Sequence, residues 1–266
     1  MTETNAQAKY YRIGTMKVEV HPSVQAAGAA AARAAGKALL ELSQAHDAVG
    51  VIFATGASQF ETLNELTRIP NLPWGQVLGF HMDEYVDIAA DHPASFRRYL
   101  RERLSGRVRM KQFFEIDGSA TVPEKTSSDY AARLRSASPQ LCFLGIGENG
   151  HLAFNDPPVA DFADPLDAKI VQLDAECRRQ QVAEGWFDSV DQVPERAITL
   201  TIPALFRVPT LIVSVPGSRK ARIVRRAFEE PISTSCPATM LRTHPNATVY
   251  LDAESASELD GVLLSQ

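Results

Sequence analysis

Between positions 144 and 158 the chain reads LGIGENGHLAFNDPP. An apolar run, Leu141-Cys142-Phe143-Leu144, passes directly into a polar turn punctuated by Gly145, Gly147 and Gly150. Glu148, Asn149, His151, Asn155 and Asp156 then crowd together. Proton transfer needs a group that titrates near neutral pH beside groups that orient it. His151 supplies the first kind, and Asn149 and Asp156 supply the second.

Three more segments have the form of a strand that ends in a ligand-binding turn. Ala54-Thr55-Gly56-Ala57-Ser58-Gln59 runs from an apolar stretch into small residues and then a helical pattern. Backbone N–H groups at such a turn suit a phosphate, with hydroxyls from Thr55 and Ser58. Gly79-Phe80-His81-Met82-Asp83-Glu84-Tyr85 places two adjacent carboxylates behind a strand. Neighbouring side chains diverge on an extended backbone, so Asp83 and Glu84 are expected to do different jobs, one of them as a base facing a cleft. Val215-Pro216-Gly217-Ser218-Arg219-Lys220 repeats the strand, glycine and helix-start pattern. Cations in a first helical turn oppose the helix dipole, and a bound anion would offset this, so Lys220 or Arg219 is a candidate phosphate ligand.

These groups together suit proton shuffling on a sugar phosphate: abstraction beside a carbonyl by a carboxylate, after ring opening helped by a histidine. The chain has no GxSxG elbow and no metal-ligand spacing, so no metal is expected.

The elements that must position these groups are legible as alternating strands and helices. Helical patterns cover 23–45 with Ser23 as N-cap, 92–104 with Pro93 near its start, 123–135, 175–185 and 218–228. Strand patterns cover 16–20, 48–54, 77–80, 112–116, 141–144, 197–201, 210–215 and 248–251. Residues 1–15 read as a polar lead, and 156–167 as an irregular loop beside the site. The alternation predicts an α/β fold with a mostly parallel sheet and helices on both faces, as one domain over 1–266.

Composition narrows the class. The chain has 266 residues, 45% hydrophobic and 22% charged, with a net charge of −5. No basic stripe interleaves with aromatics, so nucleic acid is not an expected partner. No apolar run reaches membrane-spanning length, and no apolar leader stands at the N-terminus. Three cysteines without CxxC spacing suit a reducing cytoplasm. The expected partner is a small phosphosugar, with a homo-oligomer compatible.

HMDEYV at 81–86, GENGHLAFNDP at 147–157 and PGSRKA at 216–221 resemble the glucosamine-6-phosphate deaminase/isomerase family, which is related to the 6-phosphogluconolactonases. HPASF at 92–96, DQVPERAITLT at 191–201 and MLRTHPNATVYLD at 240–252 fit it too. The resemblance covers about 45–252 and implies a Rossmann-like fold without metal or organic cofactor. It implies conversion of glucosamine 6-phosphate, or a related hexosamine 6-phosphate, to a ketose 6-phosphate with loss of ammonia. Carried across, Asp83 moves a proton between C1 and C2, and His151 assists ring opening, with Asp156 in place of a family Glu that orients it. Thr55, Gly56, Ala57, Ser58, Lys220 and an arginine, assigned to Arg179, hold the phosphate. Asn149 stands where the deaminases carry Asp, and is expected to orient the imidazole without adding charge. The alternatives are a 6-phosphogluconolactonase-like hydrolase and a phosphosugar-binding protein without turnover.

Overall fold

The computed structural model describes residues 7–259, so the polar lead over 1–6 lies outside the described residues. The strands are β1 (Lys9–Ile13), β2 (Met16–His21), β3 (Val49–Phe53), β4 (Val77–His81), β5 (Asp83–Tyr85), β6 (Gln112–Phe114), β7 (Leu141–Leu144), β8 (Ala168–Gln172), β9 (Arg196–Leu200), β10 (Thr210–Ser214) and β11 (Ala247–Asp252). The α-helices are α1 (Val24–Ala45), α2 (Phe60–Leu66), α3 (Phe96–Leu100), α4 (Pro123–Ala137), α5 (Ala175–Ala183), α6 (Ile202–Phe206) and α7 (Ala221–Glu229).

Among the described residues the main sheet has eight strands in the order β1-β2-β11-β10-β7-β3-β4-β6. All neighbours pair parallel except β1 and β2. The central strands β3 and β7 are continuous buried runs because both of their faces are covered. Along β7, Cys142 and Leu144 face one core, and Leu141 and Phe143 face the other. The second core holds the alanine stripe of α1 and the leucines of α2, with Phe53 and Phe143 stacked at 5.2 Å. The first takes Tyr130 and Leu134 of α4, Leu205 of α6 and Val224 of α7. The Oγ of Ser23 accepts from the Ala26 N–H and starts α1, and Pro123 occupies the first turn of α4, where a missing N–H costs nothing.

A second sheet of three antiparallel strands, β5-β9-β8, was not expected from the sequence. Its residues Ala168, Ile198 and Leu200 share the first core with Cys142 and Val213 of the main sheet.

Two further expectations change. Residues 9–13 are not a lead but the sheet edge, paired with β2 through a hairpin. The helix expected from His92 begins only at Phe96, because Ser95 is extended and its Oγ accepts from the Arg98 N–H as the true N-cap. The residues before it form turns, with the Ser95 N–H donating to the His92 carbonyl.

Chain order runs outward from β3 through β4 to β6, returns to β7 beside β3, and continues outward on the other side through β10 to β11. The direction therefore switches between β3 and β7. In open parallel sheets such a switch point leaves a crevice beyond the carboxyl ends of the strands.

Candidate active site

A cavity of about 420 Å³ occupies that crevice. Thr55, Gly56, Ala57 and Ser58 line it from the end of β3, Gly145 to Glu148 from β7, and Pro216 to Lys220 from β10. The β3 and β10 exits share one design: a glycine at φ +89° or +92°, one 3₁₀ turn, then a helix. Both turns are tied to the end of β7. Gln59 Nε2 donates to the Leu144 carbonyl at 3.1 Å and to Ser58 Oγ at 3.0 Å. Lys220 Nζ donates to the Ile146 carbonyl at 2.8 Å. Burial lowers the Lys220 pKa, with the charges of Glu184 and Glu148 opposing the shift.

The two adjacent carboxylates part company. Asp83 pairs with Thr199 across β5 and β9, and it lines the cavity while only 5% exposed. Its Oδ1 finds no hydrogen-bond partner among the described residues. Burial, then the charge of Glu84, pushes its pKa well above the ordinary carboxylate value. Glu84 turns the other way and closes the start of α3. It accepts from Ser95 Oγ at 2.8 Å, from the N–H groups of Phe96 and Arg97 at 3.1 and 3.0 Å, and from Arg97 Nε at 3.3 Å.

His151 also lines the cavity, with Asp156 and Asn149 behind it. Its Nδ1 stands 2.8 Å from Asp156 Oδ1, close but out of line for a well-formed hydrogen bond. Asn149 makes no hydrogen bond to the imidazole. Its Nδ2 donates to Asp156 Oδ1 at 2.8 Å, and its Oδ1 accepts from the His151 backbone N–H at 3.0 Å. The expected role of Asn149 is thereby corrected: it braces the carboxylate and the loop rather than the ring. Burial pushes the Asp156 pKa up. The charge of His151 beside it and the amide donor of Asn149 outweigh this and hold it below the ordinary value. The imidazole lies directly over Gly147, where a Cβ would come within 2.2 Å of Cε1 and Nε2.

Arg179 does not join the site. It is exposed on α5 and absent from the cavity wall, while Gln180, Gln181 and Glu184 of that segment face inward. Arg178 is spent on the carbonyls of Val190 and Val193. Sequence reasoning did not anticipate the wall formed by Phe96, Phe154 and Trp186, nor the burial of Cys177 beside Asp156. His151, Asp156 and Cys177 bring potential metal-ligand atoms within 4.8 Å of one another. Burial and the charge of Asp156 keep the Cys177 thiol protonated, whereas the thiolate is the form that binds a metal.

The chain over residues 22–250 matches the model of the glucosamine-6-phosphate isomerases/6-phosphogluconolactonase family. It is 34% identical over 206 residues to a glucosamine-6-phosphate deaminase of Exiguobacterium sibiricum, covering 77% of this chain and 79% of that one. To a glucosamine-6-phosphate deaminase of Rhodopirellula baltica it is 30% identical over 260 residues, 93% of this chain and 98% of the other. A solved monomeric glucosamine-6-phosphate deaminase superposes with a TM-score of 0.83 at 27% identity, over 91% of this chain and 99% of that one. The 6-phosphogluconolactonase of Thermotoga maritima shares the fold, with a TM-score of 0.71 at 18% identity over 89% and 98%. With its α/β fold, its switch-point crevice and these similarities over most of its length, the chain belongs to the glucosamine-6-phosphate isomerases/6-phosphogluconolactonase family.

Proposed function

We propose that this chain is an amino-sugar 6-phosphate isomerase/deaminase, taking glucosamine 6-phosphate or a related hexosamine 6-phosphate to a ketose 6-phosphate and ammonia. The observation that carries this reading is the position of Asp83: a buried carboxylate facing the same cavity as the His151–Asp156 pair and both glycine turns. The phosphate binds between the Thr55–Ser58 turn and Lys220. His151 passes a proton to and from the ring oxygen, steadied by Asp156 as positive charge develops on the imidazole. Asp83 takes the proton from C2 of the open aldehyde form and returns it to C1. This leaves a C2 imine; water adds there, ammonia leaves, and the C2 ketone remains. Burial raises the pKa of this carboxylate, and with it the basicity available for that transfer. Phe96, Phe154 and Trp186 shield the reacting carbons from solvent.

The chain works as one unit in this reading, since Asp83 comes from the small sheet and the phosphate turns from the large one. Three free, buried cysteines support a reducing compartment, the cytoplasm. No helix of the described residues is long and apolar enough to cross a membrane.

Two assays on the purified protein test the reading. Ammonia release should follow from a hexosamine 6-phosphate, and 6-phosphogluconolactone should not be hydrolysed above background. Lactone hydrolysis without ammonia release would assign the chain to its lactonase relatives. Binding without either reaction would make it a phosphosugar-binding protein.

A further inference from the structure

The cavity is poor in positive charge for a phosphate ester. Apart from His151, the cations lining it among the described residues are Arg219 and Lys220, against the carboxylates of Asp83, Glu148, Glu184 and Glu254. A phosphate monoester brings a charge of roughly −1.5 to −2 at neutral pH. Lys220 spends one of its three donors on the Ile146 carbonyl, and α5 turns Arg179 outward. Among the described residues Arg219 is therefore the one guanidinium in the cavity wall, and it is already engaged. Its Nη2 lies 2.7 Å from Glu148 Oε1.

That ion pair is 53% and 32% exposed on its two sides. Exposed pairs contribute little, because water already solvates both charges. A guanidinium meeting a phosphate forms a two-pronged, charge-assisted contact that is stronger. Exchange of the Glu148 carboxylate for a phosphate is thus favourable for Arg219. We infer that Arg219 is the second phosphate ligand, held in reserve by Glu148, and that the substrate phosphate takes the place of the Glu148 carboxylate.

The exchange also reaches the acid–base groups. Glu148 sits between Gly147, which underlies the His151 ring, and Asn149, which holds Asp156. Its backbone N–H donates to Gln180 Oε1 at 3.3 Å, and Gln180 Nε2 donates in turn to Glu184 Oε1 at 2.7 Å. Freeing the Glu148 side chain therefore bears on the one loop that carries the His151 relay.

This inference rests on the phosphosugar reading of the cavity, and titration calorimetry separates the two. Inorganic phosphate, glucosamine 6-phosphate and free glucosamine are titrated into the wild type, Arg219→Gln, Glu148→Gln and the double variant, each with its melting temperature measured. Arg219→Gln should weaken both phosphate ligands by roughly 10- to 150-fold and leave glucosamine unchanged. Glu148→Gln should tighten phosphate, because its competitor is gone, and the double variant should match Arg219→Gln. If the pair is only a strut, the two single variants will weaken phosphate alike, and the inference falls. It also falls if Arg219→Gln binds phosphate as the wild type does. A wild type that binds phosphate through Arg219 yet releases no ammonia would overturn the deaminase reading and leave this assignment standing.

Discussion

Gly147 is the position where a single methyl group decides the site. A Cβ there would overlap the imidazole of His151 at 2.2 Å, so the ring and the side chain cannot share the space. Gly147→Ala should push His151 off Asp156 and lower turnover by about 10²-fold or more, the range that general acid–base catalysis supplies. Phosphate binding should persist, since the added methyl meets the His151 ring rather than Ser58 or Lys220. Turnover within a few-fold of wild type would remove His151 from the mechanism. Asn149 leads to a second prediction. Its amide donates to Asp156, so Asn149→Asp replaces a donor with a second carboxylate at contact distance from the first. Like charges at that range oppose each other's ionisation. The variant should be less stable and slower, not a repaired enzyme, and a faster Asn149→Asp protein would contradict the bracing role. Much of this site was legible residue by residue, because a strand ending in Gly and then hydroxyl or cationic residues has few other uses. The partner of Asn149 was not legible, because the choice between imidazole and carboxylate depends on how the 147–156 loop folds back.

Strands and helices decide which neighbours matter, and β5 is the clearest case. Alternation along three residues sends Asp83 to the cavity and Glu84 to the first turn of α3. The two should therefore respond oppositely to substitution. Glu84→Ala leaves Arg97 and two helix N–H groups without their buried acceptor and should cost about 3–5 kcal/mol. Asp83→Asn should stabilise. Asp83 binds its proton more tightly folded than unfolded, because burial and Glu84 raise its pKa above 3.8. The wild type therefore loses stability as pH rises from the unfolded value through the raised one, and the asparagine variant does not. Urea midpoints should coincide near about pH 3, where both states are protonated, and favour Asp83→Asn near about pH 7.5. Equal midpoints at both would mean that Asp83 is not held in an unfavourable environment. A three-residue strand has no periodicity to read, which is why the sequence pointed to divergent carboxylates but not to the sheet that separates them. α5 was found as a helix, yet its phase was not. Seven of its nine residues are polar or charged or alanine without a clear apolar stripe, so nothing marked Gln181 as inward and Arg179 as outward.

At the scale of the whole molecule the site is assembled from chain segments far apart in sequence, from Thr55 to Lys220. Only the return of β7 beside β3 brings them to one crevice. The alternation of elements indicated a parallel sheet, and the glycine turns indicated its carboxyl edge. The strand order that makes the switch point rests on long-range packing that local patterns do not encode. The central claim is that this crevice moves a proton on the carbons of an amino-sugar phosphate and that Asp83 is the base. Its most direct test is ammonia release from glucosamine 6-phosphate by the wild type and Asp83→Asn side by side, after both are shown to fold and to bind inorganic phosphate. The expected result is release by the wild type and a loss of roughly 10²–10⁴-fold in Asp83→Asn with phosphate binding intact. Wild-type turnover in Asp83→Asn, or no ammonia from any hexosamine 6-phosphate with the wild type, would contradict it.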